Sequence, residues 1–175
     1  MTSDWPGSMR LAPIIAALFL AHALAGAAAL GAERDQESTG LPLPRFVSLR
    51  AEEVNLRTGP GVRYPVDWVL VRRDMPVEVI AEFDTWRKVR DWQGTEGWLH
   101  KSMISGRRTV IVIGEPRTLR RDGSGESPAV ARVESGVVAQ LGACKGEWCR
   151  VEAAGYEGWL RRAEFWGTYP GEAVE

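Results

Sequence analysis

The residues beyond the N-terminal apolar segment that could carry out chemistry are one histidine and two cysteines. Beyond residue 32 the only histidine is His100, and the only cysteines are Cys144 and Cys149. A cysteine and a histidine together can act as nucleophile and base in peptide hydrolysis, but no recognisable motif surrounds either residue type here. A zinc site needs three or four nitrogen or sulfur ligands, and no cluster supplies them. We therefore expect that the chain is not an enzyme and that it holds no cofactor or metal.

Few residues of the chain suit catalysis, but several aromatic residues indicate a binding site. Trp68 lies beyond a Gly-Pro loop with Tyr64 four residues earlier, and Trp92 lies at a predicted turn. Exposed aromatic side chains beside a polar loop form a shallow groove that suits a peptide or a sugar. The alternative is that Trp68 only covers the open end of a small fold, since single exposed apolar residues are normal. The candidate ligand-binding residues are Asn55, Arg57, Tyr64, Trp68 and Trp92.

The elements that must position these residues form a tandem repeat. The string Gly94-Thr95-Glu96-Gly97-Trp98-Leu99 recurs 61 residues later as Gly155-Tyr156-Glu157-Gly158-Trp159-Leu160. A self-match at a fixed spacing defines the unit of folding. The unit is about sixty residues long, which is near the lower limit for a domain with a single core. Two small domains in tandem favour a binding protein over an enzyme.

The apolar pattern inside each repeat is that of β-strands. Val54-Asn55-Leu56-Arg57 and Trp86-Arg87-Lys88-Val89-Arg90 alternate apolar and polar residues, and Gly or Pro turns separate such runs. Alternation places one side of a strand on a core and the other in water, and short strands at regular spacing predict a small barrel. The fold class is therefore all-β. We expect Trp98 and Trp159 to supply large blocks of the two cores, and Gly97 to permit a close approach of two backbones.

Cys144 and Cys149 are predicted to form a disulfide. They flank Lys145-Gly146-Glu147-Trp148, where alignment of the repeats predicts a turn between two strands. Facing residues of a hairpin come within the distance that a disulfide requires, and an exported chain meets an oxidising compartment. Two free thiols are the alternative.

Residues 1–32 are predicted to be a signal peptide. An uncharged apolar run from Leu11 to about Ala32 follows Arg10 and ends among small residues, as secretory signals do. Cleavage is expected between about Ala25 and Ala32. The run is also long enough to span a bilayer, so an uncleaved inner-membrane anchor is the alternative. In either case the rest of the chain leaves the cytoplasm, and we expect a periplasmic or secreted protein.

Charge excludes some classes of partner. The net charge is −1, from 22 basic and 23 acidic residues. Such a chain has no global field that would attract nucleic acid or an anionic membrane. We expect no nucleic-acid partner, and no integral membrane role after signal cleavage. Residues 33–45 are polar and contain prolines, and they are predicted to be an extended linker.

One set of residues carries a resemblance to a known family. Val54-Asn55-Leu56-Arg57-Thr58-Gly59-Pro60-Gly61, then Trp86 and Val89, then Gly97-Trp98-Leu99, resembles the bacterial SH3-like domain. The resemblance covers residues 46–106, and residues 107–168 resemble a diverged second copy in which Thr118 stands at the place of Asn55. It implies two tandem small SH3-like β-barrels, with residues 169–175 as a C-terminal tail.

The resemblance also implies a function. In cell-wall enzymes, domains of this type serve as targeting modules for peptidoglycan peptides. We therefore expect a non-catalytic periplasmic module that recognises peptidoglycan peptide, or another extended peptide, through the first barrel. The alternative is an envelope scaffolding protein that uses a rigid tandem to dock a protein partner. A sensory ectodomain is a weaker third interpretation.

The junction between the repeats predicts how they are arranged. Only Ser105-Gly106-Arg107-Arg108 precedes the apolar run Thr109-Val110-Ile111-Val112-Ile113. Four residues are too few for a long flexible tether, and a strand that is apolar on both faces needs cover on both. Exposed, it would be an aggregation hazard. We expect this strand to be covered by its own barrel and by the first, so that the two repeats form one rigid body.

Overall fold

The computed structural model describes residues 39–175, and the predicted signal peptide lies outside these residues. The described chain is all-β, as predicted from the sequence: it has fourteen strands and two three-residue 3₁₀ helices. Within residues 39–175 no helix is long and apolar enough to cross a membrane.

The first barrel is a seven-stranded antiparallel sheet with the strand order β3-β2-β6-β5-β4-β1-β7. A 3₁₀ helix, Lys101–Met103, connects its last two strands. The bounds are β1 Arg45–Leu49, β2 Glu53–Arg57, β3 Val66–Val71, β4 Pro76–Phe83, β5 Trp86–Arg90, β6 Glu96–His100 and β7 Ile104–Ser105.

The second barrel repeats this arrangement strand for strand. Its order, β10-β9-β13-β12-β11-β8-β14, places each strand where its counterpart lies in the first sheet. A second 3₁₀ helix, Arg162–Glu164, again precedes the last strand. The bounds are β8 Thr109–Val112, β9 Arg117–Arg120, β10 Ala129–Val133, β11 Val138–Lys145, β12 Trp148–Ala153, β13 Tyr156–Arg161 and β14 Phe165–Trp166. The shared topology confirms the tandem repeat.

Each barrel has its own apolar core, as the alternation in the strands requires. In β2, Val54 and Leu56 are buried while Asn55 between them is exposed. Leu99 and Leu160, which end the repeated string, are completely buried in the first and second core respectively. The alternating pattern therefore gave the correct face for these strands.

The two tryptophans of the repeated string do not lie where we expected. Trp98 and Trp159 are only partly buried, and neither belongs to a buried core cluster. Successive side chains of a strand point to opposite faces, so only one residue of each Trp-Leu pair can enter the core, and the leucine does. The prediction that these tryptophans build the cores is wrong.

Gly97 lies at the close backbone approach that the sequence predicted, and Gly158 lies at the same place in the second barrel. A Cβ at Gly97 would lie 2.8 Å from Leu56 Cβ, and one at Gly158 would lie 2.5 Å from the Arg120 carbonyl oxygen. Both glycines lie beside the point where the sixth strand of each barrel meets the second strand. The missing side chain allows the two backbones to pack.

The predicted disulfide is confirmed. Cys144 and Cys149 face each other across the β11–β12 hairpin, with Cα atoms 4.0 Å apart and their sulfurs bonded. Gly146, with a φ of 57°, lies in the turn between them.

Strand β8 is covered on both faces, as its sequence predicted. All four of its residues are buried. Val110 and Val112 belong to the core of the second barrel, whereas the Thr109 hydroxyl donates a 2.7 Å hydrogen bond to the Asp74 carbonyl oxygen of the first. The two barrels therefore meet along this strand.

The predicted C-terminal tail is built into the fold. Arg162 donates hydrogen bonds to the carbonyl oxygens of Tyr169, at 3.1 Å, and Glu172, at 2.5 Å. Further along, the Val174 carbonyl accepts a 3.0 Å hydrogen bond from the Cys144 amide. These contacts hold residues 169–174 against the second barrel.

Candidate functional site

Strand β3 forms the edge of the first sheet and is unusually exposed. Among the described strands it pairs only with β2, so one row of its backbone donors and acceptors has no strand partner. A register shift at Asp67 interrupts the strand near one end, but the remaining surface is apolar. The exposed fractions are 42% for Val66, 57% for Trp68, 47% for Val69 and 67% for Val71. Since proteins usually protect such edges, an apolar free edge indicates a binding surface.

The register of β3 places Trp68 on the core side of the sheet. Trp68 is opposite the buried Leu56, yet its side chain extends past the end of the core. There it lines a groove of ≈ 350 Å³ with Trp92, which we call the tryptophan groove. The groove is also lined by Leu70, Met75, Gln93, Ile111 and Gly136. The structure thus brings together two of the five predicted binding residues.

The wall formed by Trp92 is held by a tight turn. The Asp91 carboxylate, which is almost fully buried, accepts hydrogen bonds from the backbone amides of Gln93, at 2.9 Å, and Thr95, at 2.8 Å. A carboxylate that binds the amides after it replaces the backbone contacts of a turn. The Trp92 ring packs against the core of the first barrel. The position of Trp92 is therefore fixed by both the turn and the core.

The second barrel completes the groove. Ile111, which is 2% exposed, and Gly136 both contribute to the lining. The Arg72 guanidinium, at the end of β3, donates a hydrogen bond across the junction to the Gly136 carbonyl oxygen. We expected the binding residues to lie in the first barrel alone. The apolar character of β8 on both faces was the signal that this junction is close-packed.

Asn55 does not join the tryptophan groove. It lies exposed on the outer face of β2, opposite Val69. Its side chain makes no hydrogen bond to any residue of the described chain, and Arg57 is the strand residue that binds the following loop. Arg57 Nη1 donates to the carbonyl oxygens of Tyr64, at 2.8 Å, and Val62, at 3.3 Å.

Arg57 and Tyr64 shape the loop at residues 58–65. The Tyr64 ring covers Gly59, where a Cβ would lie 2.5 Å from the ring. In the second barrel Arg120 likewise donates a 2.7 Å hydrogen bond to the Ser127 carbonyl oxygen. The same contact recurs in a loop of different sequence, so the arginine is a structural residue in both barrels.

A buried carboxylate of the first barrel, Glu78, bonds to the C-terminal segment. Glu78 is 5% exposed and accepts hydrogen bonds from Arg90 at 3.0 and 2.5 Å. Its other oxygen accepts a 2.9 Å hydrogen bond from the Tyr169 hydroxyl. Burial, together with the bond to this carboxylate, raises the pKa of Tyr169 above its ordinary value. The phenol thus stays protonated and continues to donate.

The two cysteines, which were the candidate nucleophiles, have no free thiol in this structure. Both cysteines are bonded to each other, and His100 instead caps the first 3₁₀ helix by accepting the Ser102 amide. No group of three or more metal-ligating side chains occurs within the described part of the chain. That the protein is not an enzyme stays a prediction.

Two barrels with one strand order, each with a 3₁₀ helix before its last strand, define a tandem of SH3-like domains. The chain belongs to the bacterial SH3 domain family, whose model matches residues 50–106 and 114–167. This confirms the resemblance for both repeats.

Two solved structures from Trichomonas vaginalis are similar to the chain. NlpC2 is 13% identical over 72% of this chain and 49% of its own, with a TM-score of 0.34. NlpC1 is 13% identical over 75% of this chain and 48% of its own, with a TM-score of 0.33. The chain therefore spans about half the length of these two proteins. Comparison with curated proteins gives no significant match.

Proposed function

We propose that this protein is a non-catalytic envelope module that binds an extended peptide, such as a peptidoglycan stem peptide, along β3 and in the tryptophan groove. One observation carries the proposal. Trp68 is 57% exposed on a free apolar edge strand and lines the same groove as Trp92. A folded protein gains little from leaving so large an indole surface in water.

The chemistry of the site suits an extended chain. The free edge of β3 offers backbone donors and acceptors that can pair with a peptide as an added strand. Alternate side chains of such a peptide point to one face, which would bring them over Trp68 and the groove. Tryptophans in partly closed pockets contribute strongly to binding energy. The backbone would supply affinity, and the groove would select the side chains.

The proposed location is the periplasm or the cell exterior. The Cys144–Cys149 disulfide is consistent with an oxidising compartment, where such bonds persist. The predicted signal peptide supports the same location, with an inner-membrane anchor as the alternative. Both locations give access to cell-wall peptides.

The proposal is tested by retention on purified peptidoglycan sacculi, beside a parallel pull-down from envelope extract. We expect the protein to bind sacculi and Trp68→Ala to weaken binding by at least about tenfold, the scale of a well-packed aromatic contact. Tyr156→Ala is the matched control, because Tyr156 is an aromatic residue 56% exposed on the second barrel, outside the groove. Its binding should be unchanged.

Two results would overturn the proposal. Equal binding by Trp68→Ala and the wild type would remove the groove from the site. Capture of envelope proteins with no retention on sacculi, unaffected by Trp68→Ala, would favour the scaffolding alternative, in which the tandem docks a protein through another surface.

A further inference from the structure

The first barrel has a second pocket, of ≈ 520 Å³, that shares no residue with the tryptophan groove. It is lined by the loop residues 60–63 and by Thr85, Trp86 and His100; we call it the histidine pocket. Three of the lining side chains, Arg63, Trp86 and His100, bear nitrogen donors, and Trp86 also supplies a large aromatic ring. No carboxylate of the described chain lines it. The pocket therefore suits a ligand that carries a hydrogen-bond acceptor next to an apolar group.

His100 presents a hydrogen-bond donor in this pocket. Its Nδ1 accepts the backbone amide of Ser102 and lies 2.7 Å from the Ser102 hydroxyl. Because Nδ1 accepts that amide, the ring hydrogen is on Nε2. Nε2 has no hydrogen-bond partner among residues 39–175. The capping contact thus fixes the ring and leaves one donor for a ligand.

Arg63 supplies a positive charge that no carboxylate of the described chain neutralises. Its guanidinium lies over the Tyr64 ring, 5.1 Å from the centroid, and Nη2 donates a 3.3 Å hydrogen bond to the Tyr64 hydroxyl. Both contacts are with a neutral side chain. Arginine has five donors in a planar arrangement that matches a carboxylate. Most of these donors stay available to a ligand.

In the second barrel an arginine covers the tryptophan at the corresponding place. Trp148 and Arg161 are cross-strand partners there, as Trp86 and His100 are in the first barrel. Arg161 covers the Trp148 ring, with its guanidinium carbon 5.0 Å from the centroid. The loop packs in as well, since a Cβ at Gly123 would lie 3.1 Å from Trp148 Cβ.

The first barrel has no such arginine over its tryptophan among the described residues. The His100 ring stands nearly perpendicular to the Trp86 ring, at a centroid distance of 5.7 Å, and no cation of the described chain lies over Trp86. Val62, in the adjoining loop, is 80% exposed. Arginine thus covers Trp148 in the second barrel, whereas Trp86 lines an open pocket in the first.

We propose that the histidine pocket binds the carboxylate end of a peptide, with the anion between Arg63 and His100 Nε2 and the last side chain against Trp86. A carboxylate accepts from both donors in charge-assisted hydrogen bonds, and a small apolar side chain next to it removes surface of the indole from water. The site is independent of the tryptophan groove and does not need the proposed function to hold.

The test is a titration of the full protein, at neutral pH, with N-acetyl-alanyl-alanine as the free acid and as its C-terminal amide. Binding is followed by calorimetry and by the NMR signals of the Trp86 indole and the His100 ring. The two probes differ only in the terminal anion. We expect the acid to bind at least about tenfold more tightly than the amide and to shift both signals.

Variants identify the donors. Arg63→Gln should reduce the affinity for the acid to that for the amide. His100→Gln, which keeps a side-chain donor, should reduce it less than His100→Ala. Arg132→Gln is the control, because Arg132 is an exposed arginine on β10 of the second barrel, and it should bind as the wild type does.

Three results would overturn the proposal. Equal affinities for acid and amide would show that the anion is not recognised. Shifts confined to signals outside the pocket would place the site elsewhere. Acetate alone binding as tightly as the peptide acid would show a general anion site, with no role for the peptide.

Discussion

The Tyr169 hydroxyl donates a 2.9 Å hydrogen bond to Glu78 Oε1, and this bond joins the C-terminal segment to a strand of the first barrel. The Tyr169 ring also packs on Phe46, with centroids 4.7 Å apart, and Trp166 meets the same phenylalanine edge to face at 4.8 Å. Trp166 and Tyr169, which follow the 3₁₀ helix of the second barrel, thus contact Phe46 and Glu78 of the first.

Tyr169→Phe tests this contact. The change keeps the ring but removes the donor to a buried carboxylate, and such hydrogen bonds contribute about 1.5–3 kcal/mol. We expect the free energy of unfolding in urea to fall by that amount. Tyr156→Phe, at an exposed tyrosine without a hydrogen bond in the described chain, should stay within about 0.5 kcal/mol of the wild type. Equal stabilities for the two variants would contradict the role of Tyr169.

Acid should weaken the first barrel through Glu82. Burial alone would raise its pKa, but hydrogen bonds from Thr39 and Arg45 outweigh burial and lower the pKa from 4.5 to about 2. Because its pKa is lower in the folded state, the ionised Glu82 carboxylate stabilises the folded protein. This stabilisation is fully present above pH 4.5 and is lost as the pH falls toward 2. It is on the order of 2 kcal/mol, after allowance for screening by solvent.

Glu82→Gln should therefore flatten the loss of stability between pH 4.5 and pH 2. The measurement is the free energy of unfolding in urea at several pH values. Glu134→Gln is the control, at an exposed glutamate of the second barrel, and it should keep the wild-type slope. A slope that Glu82→Gln leaves unchanged would assign the acid sensitivity to other groups.

The glycines of the repeated string should resist substitution. Gly97→Ala and Gly158→Ala each force a Cβ against packed atoms at 2.8 and 2.5 Å, and overpacking of this kind costs about 1–3 kcal/mol. Gly158→Ala should be the more damaging, because the atom it meets is a backbone oxygen. At Gly106 a Cβ would meet nothing within 4 Å, so Gly106→Ala is the control. Melting temperatures of the three variants measure the difference, and similar values for all three would refute the close approach.

Local signals in the sequence were enough to predict the strands, the repeat and the disulfide. Alternation fixed the buried faces of Val54 and Leu56 because the period of a strand is two residues. The cysteines were predictable since both lie in one hairpin of a chain with a predicted signal peptide. Strand β8 is apolar on both faces, and this pattern predicted that both faces are covered. The burial of Thr109–Val112 confirms the prediction.

Contacts between distant residues were not predictable in this way. Periodicity shows that one residue of Trp98-Leu99 enters the core, but it does not show which one. The tryptophan groove depends on Ile111 and Gly136, which lie far along the chain from Trp68. The docking of Tyr169 on Phe46 joins the two ends of the described chain, and no local pattern in residues 169–175 indicates it.

The central claim is that the two barrels form one rigid body that carries the tryptophan groove. Calorimetric unfolding of Ile111→Asp tests this claim most directly. Ile111 is 2% exposed at the junction, so a carboxylate there is buried without a partner and destabilises both barrels. We expect one cooperative transition at a lower temperature than in the wild type. Val130→Asp is the control, at a valine 38% exposed on the second barrel, and it should melt as the wild type does. Two transitions for Ile111→Asp, one of them at the wild-type temperature, would show that the barrels unfold independently and would contradict the account.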